Sequence, residues 1–209
     1  TTVLTPDSTR IKGLCYYYEY ASGKRMKMKQ LPGADPIYMV YDKRNRLVLT
    51  QDGNNRINNK WLFTKYDKLN RPVLTGILTR NDSMTQEEMQ SVVDSVYIGS
   101  ARRDFYIERD SSEAATLGFT DESFPKSTDG SLEYLTATYY DSYDFQNIRP
   151  FDTTSNISDY SDSQGNTHYN DLVKGLVAGT KAKVLGTSTY ITTTNYYDDH
   201  YRVIQSLKI

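Results

Sequence analysis

The sequence predicts an all-β fold, an antiparallel sheet of β-hairpins with one short helix and long loops. Three observations predict it. Short runs of aromatic and β-branched residues recur along the chain, and such residues favour strands. Between several of these runs a tyrosine precedes an arginine by the same five positions, as expected of a repeated turn. The chain also has 19 Tyr against 6 Phe and 1 Trp, and tyrosine buries a ring while its hydroxyl stays hydrated.

The clearest predicted hairpin covers residues 37–50, and its turn begins at Asp42. Aspartate favours the first position of a type I turn because its carboxylate accepts a hydrogen bond from a backbone N–H two residues further on. Asn45 tolerates a positive φ better than most residues other than glycine. A type I turn followed by one left-handed residue is a common three-residue hairpin loop. The pattern therefore predicts a loop over residues 43–45.

The residues that flank this loop are expected to pair across the two strands. Asp42 and Arg46 close the loop as opposed residues of opposite charge, a pairing worth roughly 0.2–1 kcal/mol. Tyr41 should be paired with Leu47 on the other face of the sheet, because successive side chains alternate between the two faces of a strand.

The same turn pattern recurs along the chain. Tyr41 follows Tyr20 by 21 residues and Tyr66 follows Tyr41 by 25, a spacing typical of stacked repeats. Tyr140 begins another copy, in which Phe145 stands where the arginine belongs. The residues predicted to define the repeats are Tyr20 and Arg25; Tyr41, Asp42, Asn45 and Arg46; Tyr66, Asp67, Asn70 and Arg71; Tyr140 and Asp141; and Tyr197, Asp198 and Arg202.

In chain order, the sequence predicts five hairpins and one insertion within a single module over residues 1–209. The insertion, residues 77–131, contains the one predicted helix, over residues 86–94. Thr85, with Glu88 three residues later, forms a capping box at the start of that helix. The apolar face of the helix, expected to pack on the sheet, carries Met89, Val92, Val93 and Val96. The hairpins are expected near residues 14–31, 37–50, 61–76, 133–145 and 190–209.

The remaining stretches are predicted to be loops or short strands. Residues 51–59 form a polar loop, residues 111–130 are rich in turn residues, and residues 144–170 form a long polar loop rich in Ser, Asp and Asn. Two short segments, residues 172–179 and 183–186, are expected to be strand fragments.

Composition and charge argue against several classes of function. The net charge is −1 and the pI about 6.1, so the chain offers no general attraction to nucleic acid or to an anionic membrane. No run of about 20 apolar residues is present, so membrane insertion is not expected. The single cysteine, Cys15, cannot form a disulfide within the chain and is expected to be a buried thiol. The chain begins at Thr1 without a signal peptide, and we interpret it as a segment of a longer polypeptide.

No pattern predicts a catalytic, cofactor-binding or metal-binding residue. His168 and His200 lack partners at the spacing of a metal site. Residues 175–181 resemble a phosphate loop only superficially, since they end in Gly-Thr-Lys where that loop needs Gly-Lys-Ser/Thr. Residues 152–170 lack the spacing of an EF-hand, which leaves weak calcium binding open. The turn aspartates should be spread along a sheet, whereas general acid–base catalysis needs two carboxylates that converge.

The Tyr-Asp-x-x-Gly/Asn-Arg pattern resembles the YD repeat of the RHS family (rearrangement hot-spot proteins), which includes the teneurins. The chain departs from the pattern in three places, with Ala21 in place of Asp, Tyr201 in place of Asn or Gly, and Phe145 in place of Arg. Further stretches are similar to the long RHS-type proteins of Bacteroidetes, namely residues 31–34, 38–42, 46–53, 60–67, 71–76, 118–125, 138–145 and 175–181.

The resemblance implies a structural role. In characterised relatives many such hairpins wind into a long sheet that closes into a shell around a C-terminal polypeptide, often a toxin. The chain is therefore expected to be a scaffold segment of a large secreted or cell-surface protein, whose partners are the neighbouring repeats and a C-terminal effector. Its end strands should be exposed edges, which predicts self-association. Two further hypotheses stay open, a cell-surface carbohydrate-binding module that stacks sugars on exposed tyrosines and Trp61, and an enzyme such as a glycosidase.

Overall fold

The computed structural model describes residues 13–99, 105–112, 116–154 and 169–209. Within these residues ten β-strands form one open sheet, in which hydrogen-bonded neighbours follow the chain order from β1 to β10. The strands are β1 Tyr17–Tyr20, β2 Met26–Gln30, β3 Ile37–Tyr41, β4 Leu47–Gln51, β5 Lys60–Tyr66, β6 Pro72–Thr79, β7 Ser131–Tyr140, β8 Val177–Lys183, β9 Tyr190–Tyr197 and β10 Val203–Lys208. Two α-helices accompany them, α1 Gly53–Ile57 and α2 Gln86–Val96. The predicted all-β antiparallel fold is confirmed.

Helix α1 corrects the polar loop predicted over residues 51–59. Within these residues Asp52 caps a single helical turn, and its carboxylate accepts from the Asn55 backbone N–H at 2.8 Å. A carboxylate that accepts from an N–H two or three residues ahead is common to turn starts and helix starts. The local sequence therefore does not distinguish a turn within a loop from the start of a short helix.

Helix α2 begins with the predicted capping box and extends two residues further than expected, to Val96. The Thr85 hydroxyl accepts from the Glu88 backbone N–H at 3.3 Å, and the Glu88 carboxylate accepts from the Thr85 backbone N–H at 2.8 Å. Met89 and Val93 are fully buried, as the predicted apolar face requires. The helix packs against β3.

Four of the five predicted hairpins correspond to neighbouring strand pairs, β1–β2, β3–β4, β5–β6 and β9–β10. The hairpin predicted near residues 133–145 is wrong in its returning strand. Strand β7 pairs with β8 at Tyr140 and Val177, so the return lies more than thirty residues later in the chain. Strand β8 also replaces the two separate fragments predicted over residues 172–179 and 183–186.

The chain divides into two compact units. Of the described residues, the first unit holds 13–70, 75–99, 105–107 and 121–133, and the second holds 71–74, 108–112, 116–120, 134–154 and 169–209. The single module predicted over residues 1–209 therefore consists, in its described part, of these two units.

The core of the first unit is built from β-strand side chains and the apolar face of α2. Val40, Leu49, Trp61 and Phe63 are all buried there. Gly76 is required by close packing, because a Cβ at that position would lie 2.3 Å from the Glu133 carbonyl oxygen and 2.5 Å from the Phe63 ring. The buried Lys65 ammonium is compensated by the Asp121 carboxylate at 2.5 Å.

The core of the second unit contains a stack of three aromatic rings. Tyr139 lies parallel to Phe145 at 4.5 Å between ring centroids and to Phe119 at 5.5 Å. The Arg109 guanidinium lies over the Tyr139 ring at 4.7 Å. Gly179 leaves room for Phe145, because a Cβ there would lie 2.3 Å from the phenyl ring.

Cys15 is exposed, so the prediction of a buried thiol is wrong. No helix among the described residues has the length and apolar character needed to cross a membrane.

Candidate functional site

The turn after β3 shows how the repeat pattern is used. The Asn45 N–H donates to the Asp42 carbonyl at 3.0 Å, and Asn45 adopts a left-handed φ of +61°. The Asp42 Oδ1 atom accepts from the Arg44 and Arg46 backbone N–H groups, both at 2.9 Å. Tyr41 is paired with Leu47, as predicted. The three-residue loop over residues 43–45 is therefore confirmed.

The charges that close this turn are buried as well as paired. The Arg46 Nε atom donates to Asp42 Oδ2 at 2.8 Å, and Arg46 Nη2 lies 2.6 Å from the same oxygen. The Asp42 side chain is 0% exposed and that of Arg46 only 10% exposed. A surface pair of this kind contributes little to stability, whereas loss of one partner from a buried pair is costly. The predicted Asp42–Arg46 pair is confirmed, and both of its side chains are largely shielded from solvent.

The turn after β9 repeats this geometry. The Asp198 Oδ1 atom accepts from the His200 and Arg202 backbone N–H groups at 3.0 and 2.7 Å, and Arg202 Nε donates to Asp198 Oδ2 at 2.6 Å. Tyr201 occupies the left-handed position with φ of +61°, although a bulky residue there is strained. His200 is thus an exposed turn residue.

The turn after β5 uses the same backbone, and its arginine reaches a carboxylate outside the turn. The Asn70 N–H donates to the Asp67 carbonyl at 3.0 Å, and Asn70 has a φ of +63°. Arg71 binds Asp141 in a bidentate manner, with Nη1–Oδ1 at 2.9 Å and Nη2–Oδ2 at 2.5 Å. The Arg71 guanidinium holds the pKa of Asp141 down at about 2, and the Gly175 N–H contributes to the same effect.

The copy that begins at Tyr140 is a turn of the same kind with a long insertion. The Asp141 N–H donates to the Leu176 carbonyl at 3.2 Å, and Gly175 takes the left-handed position with φ of +83°. Because Tyr140 is paired with Val177, Leu176 occupies the place of the arginine, and residues 142–174 are inserted into the turn. Phe145, predicted to stand at that place, instead lies in the aromatic core.

The first turn forms without the aspartate. The Ala21 N–H donates to the Arg25 carbonyl at 2.8 Å, Lys24 has a left-handed φ of +61°, and Tyr20 is paired with Met26. All five turns therefore place a left-handed residue directly before the arginine position, and the first turn does so without an aspartate.

The same residues also connect each hairpin to the next, through a tyrosine–arginine ladder that consists of the turn tyrosines and arginines. Arg25 lies over the Tyr41 ring, with 5.6 Å from Cζ to the ring centroid. Arg46 lies over Tyr66 at 4.7 Å. In the second unit, Arg71 lies over Tyr140 at 4.2 Å. Each arginine thus contacts the turn tyrosine of the following hairpin.

Hydroxyl and amide contacts complete the ladder. The Tyr41 hydroxyl donates to the Met26 carbonyl at 2.9 Å, and the Tyr66 hydroxyl donates to the Leu47 carbonyl at 2.8 Å. In both cases the accepting residue directly follows the turn arginine of the preceding hairpin. In the second unit the Tyr197 hydroxyl donates to the equivalent Val177 carbonyl at 2.8 Å. Arg25 Nη1 donates to Asn45 Oδ1 and Arg46 Nη1 to Asn70 Oδ1, both at 3.0 Å. Burial raises the pKa of Tyr41 and Tyr66, so both hydroxyls stay protonated donors at neutral pH.

The sequence did not predict that the turn residues join neighbouring hairpins, because the five-position interval between tyrosine and arginine was explained by a single turn alone. The missed signal is that every tyrosine immediately precedes its turn and every arginine immediately follows it. In an antiparallel sheet of consecutive hairpins, those two positions lie at the same end of neighbouring strands.

Helix α2 supplies two further residues that the sequence did not single out. Strands β2 and β3 pair at Met28–Tyr38 and at Lys29–Ile37. Closer to the turn that follows β3, the β3 backbone is hydrogen-bonded to two glutamines of α2. Gln90 donates to the Tyr41 carbonyl at 2.7 Å and accepts from the Tyr41 N–H at 3.0 Å. Gln86 donates to the Met39 carbonyl at 2.8 Å. The two amides thus take the place of a neighbouring strand.

The aromatic surface differs from the one expected for sugar stacking. Trp61 is 1% exposed, so its predicted contact with carbohydrate is wrong. Tyr18 and Tyr20 are exposed in alternation along β1 and so lie on one face of that strand, and Tyr16, just before the strand, is exposed as well. Tyr20 lines a cavity of about 350 Å³ together with Tyr41, Glu87 and Gln90.

No group of three or more His, Cys, Asp or Glu residues within the described ranges has the geometry to hold a metal ion. His168 and most of the candidate calcium loop at residues 152–170 lie outside the described residues. Residues 177–181 of the phosphate-loop look-alike belong to strand β8.

No family model matches the sequence, and the search of curated proteins finds no match.

Proposed function

We propose that this chain is a structural β-repeat scaffold, a segment of a large secreted or cell-surface protein of the RHS type. In this proposal its hairpins form part of a shell that encloses or presents a C-terminal effector such as a toxin. The observation that carries the proposal is the tyrosine–arginine ladder, in which the turn residues join each hairpin to the next.

The use of the polar groups supports a structural role. The Asp42 carboxylate accepts hydrogen bonds from two backbone N–H groups and from Arg46, and so is committed to its own turn. Asp198 is held in the same way, and Asp141 is held by Arg71. A general acid or base must reach a substrate. We therefore propose that the turn aspartates take no part in catalysis and that the chain is not an enzyme.

The ladder also favours a long array over an isolated domain. An arginine over an aromatic ring contributes about 0.5–2 kcal/mol, and a hydroxyl-to-carbonyl bond about 0.5–1.5 kcal/mol. Each added hairpin gains one or both of these contacts from its neighbour, so stability accumulates along the array as in other repeat proteins.

The test of this proposal is the structure of the longer polypeptide that contains the chain, determined by cryo-electron microscopy. We expect further Tyr-Asp hairpins on both sides, a closed cavity, and a C-terminal region that resists protease until the shell is unfolded. A polypeptide without further hairpins of this kind, or with its C-terminal region outside any cavity, would contradict the proposal.

A carbohydrate-binding module is the second candidate, and the exposed Tyr20 that lines the 350 Å³ cavity favours it. Tyrosine rings stack on sugar faces, while Glu87 and Gln90 offer polar groups to hydroxyls. Isothermal titration with neutral oligosaccharides tests this candidate directly. Heat release that is lost in Glu87→Ala and retained in Glu122→Ala would support it, and the absence of heat release across a broad panel would refute it.

A further inference from the structure

Two cations of the second unit lie against the same aromatic ring. The Arg109 Cζ atom is 4.7 Å from the centroid of the Tyr139 ring, and the Lys181 Nζ atom is 5.8 Å from it. Lys181 is only 4% exposed. Within the described residues neither cation forms a hydrogen bond or an ion pair through its side chain, and the Arg109 Nη1 atom is buried without a partner. The pair is therefore shielded from water and lacks a counter-ion in contact with it.

The sheet and one loop fix the positions of both cations. Tyr139 is paired with Gly179, two residues before Lys181, so Lys181 is the diagonal neighbour of Tyr139 on the same face of β7 and β8. Arg109 is held over this face because its backbone forms a bridge with Phe119, whose ring stacks on Tyr139. The fold thus places both charges by backbone pairing and ring stacking.

The acidic groups whose charges reach Arg109 do not neutralise the pair. The Asp141 carboxylate is already bound by a ladder arginine at 2.5 and 2.9 Å, and Asp144 is exposed. Tyr139 is not a counter-ion either, because burial raises its pKa and its hydroxyl donates to the Leu117 carbonyl at 2.7 Å. The missing negative charge is therefore not supplied by these groups.

The absence of a counter-ion has a cost. Burial lowers the pKa of Lys181, and the charge of Arg109 lowers it further. Burial also lowers the pKa of Arg109. Charged groups that are shielded from water are usually paired with an opposite charge, because desolvation of an unpaired ion is unfavourable. A bound anion would remove both the unpaired charges and their mutual repulsion.

We propose that Arg109 and Lys181 form a binding site for a tetrahedral oxyanion, a phosphate or sulfate group, with the Tyr139 ring as one wall. The double negative charge of such a group matches two cations, and a guanidinium can donate to two of its oxygens at once. A carboxylate would leave one positive charge uncompensated. These residues are not part of the tyrosine–arginine ladder, so the proposal goes beyond the scaffold function and does not depend on it.

Heteronuclear NMR titration of the unmodified chain with sodium sulfate and with sodium phosphate tests the site. Sodium chloride at equal ionic strength is the blank, and sodium acetate tests the ligand class. The resonances of the Arg109 Nε–H and the Lys181 amide should shift and saturate with sulfate and phosphate. Shifts no larger than in chloride, shifts confined to other parts of the chain, or acetate binding as tight as sulfate binding would overturn the proposal.

Lys181→Met removes the ammonium and keeps a long, unbranched side chain. It should weaken sulfate binding about ten- to a hundredfold, the worth of one hydrogen bond to a charged group. Lys208→Met, the same substitution at an exposed lysine of the same unit, is the matched control and should bind sulfate as the unmodified chain does. Undiminished binding in Lys181→Met would overturn the proposal.

Urea unfolding in chloride, followed by circular dichroism, separates a binding role from a packing role. Lys181→Met should raise the unfolding midpoint, because it removes a buried charge that Arg109 repels, and Lys208→Met should not. A lysine kept for packing predicts a lower midpoint, and that result would overturn the proposal. Melting in sulfate cannot replace the titration, since sulfate also stabilises folded proteins by exclusion from their surface.

Arg109→Lys gives a second, independent variant. It keeps the charge and removes the planar fork, so it should weaken sulfate binding roughly tenfold. Full binding by this variant would contradict the role given to the guanidinium.

The two sources of the oxyanion are distinguished by comparison of the inorganic ions with glucose 6-sulfate and glucose 6-phosphate. Tighter binding of the esters would support the site as one for a group carried by a larger ligand. Binding of the inorganic ions alone would support it as a site for the free ion.

Discussion

The buried Asp42–Arg46 pair offers the sharpest test of how the turns are stabilised. In Arg46→Leu, the Asp42 carboxylate stays in a fully buried site without its cation, and the contacts of Arg46 to the Tyr66 ring and Asn70 are lost as well. Removal of one partner from a buried ion pair costs about 3–5 kcal/mol. With a denaturant dependence of about 2 kcal/mol per molar urea, the unfolding midpoint should fall by roughly 1.5–2.5 M.

Trp61 makes the measurement straightforward. It is the single tryptophan, is buried in the first unit, and so reports the unit that contains the altered turn. Urea unfolding followed by its fluorescence should give a midpoint for the unmodified chain and for Arg46→Leu under identical conditions.

A double variant separates the ion pair from the other contacts of Arg46. Asp42→Ala/Arg46→Leu removes both charges, so its loss should be smaller than the summed losses of Asp42→Ala and Arg46→Leu by about 0.5–3 kcal/mol, the usual coupling between contacting residues. A loss below about 1 kcal/mol in the single variant would contradict a buried, strongly paired turn. Additive losses in the two single variants would show that the charges do not act as a pair.

Three further predictions concern other parts of the ladder. Tyr66→Phe should lower the free energy of unfolding by about 1 kcal/mol in urea melts, because one buried hydrogen bond is lost. Asp141 has a pKa of about 2, below the ordinary 3.8, so its contribution to stability is present above about pH 4 and is lost as the pH falls towards 2. Asp141→Asn should therefore flatten the dependence of unfolding free energy on pH in that range. Gln90→Leu should leave the Tyr41 N–H and carbonyl without partners and cost about 1–3 kcal/mol for each, with faster hydrogen exchange at the Tyr41 amide.

Each of these predictions has its own control. Tyr18→Phe alters an exposed hydroxyl and should not change the urea midpoint. Asp144→Asn alters an exposed carboxylate and should keep the acid dependence of the unmodified chain. Gln30→Leu changes a glutamine that bonds only the Ala34 carbonyl among the described contacts, and should leave exchange at Tyr41 as it was. If a variant and its control changed stability or exchange equally, the hydrogen bond or ion pair named for that variant would not be the cause of its effect.

Local chemistry in the sequence was sufficient to predict the turns. Asp42, Asn45 and Arg46 specify a three-residue loop through contacts that span at most four residues, and the structure has that loop with its predicted pairing. The capping box at Thr85 is equally local and was predicted correctly. Strands β9 and β10 also lie where the residue types indicated.

The sequence could not predict contacts made between segments far apart in the chain. Phe145 was read as a failed arginine because it has the right spacing from Tyr140, but Gly179 opens a space in which its ring stacks on Tyr139. The true return of that turn, at Gly175 and Leu176, lies beyond an insertion that no local rule bridges. Cys15 and Trp61 show the same limit, since burial depends on what packs over a residue and not on its type.

The residue types and spacings of this chain therefore determined that it forms β-hairpins and where the first three and the last of them turn. Only the tertiary structure decided that each turn arginine lies over the tyrosine of the following hairpin and that two helix glutamines complete the β3 backbone. The physical reason is that a turn is set by bonds within a few residues, whereas the ladder forms only after neighbouring hairpins lie side by side and bring residues such as Arg46 and Tyr66 into contact.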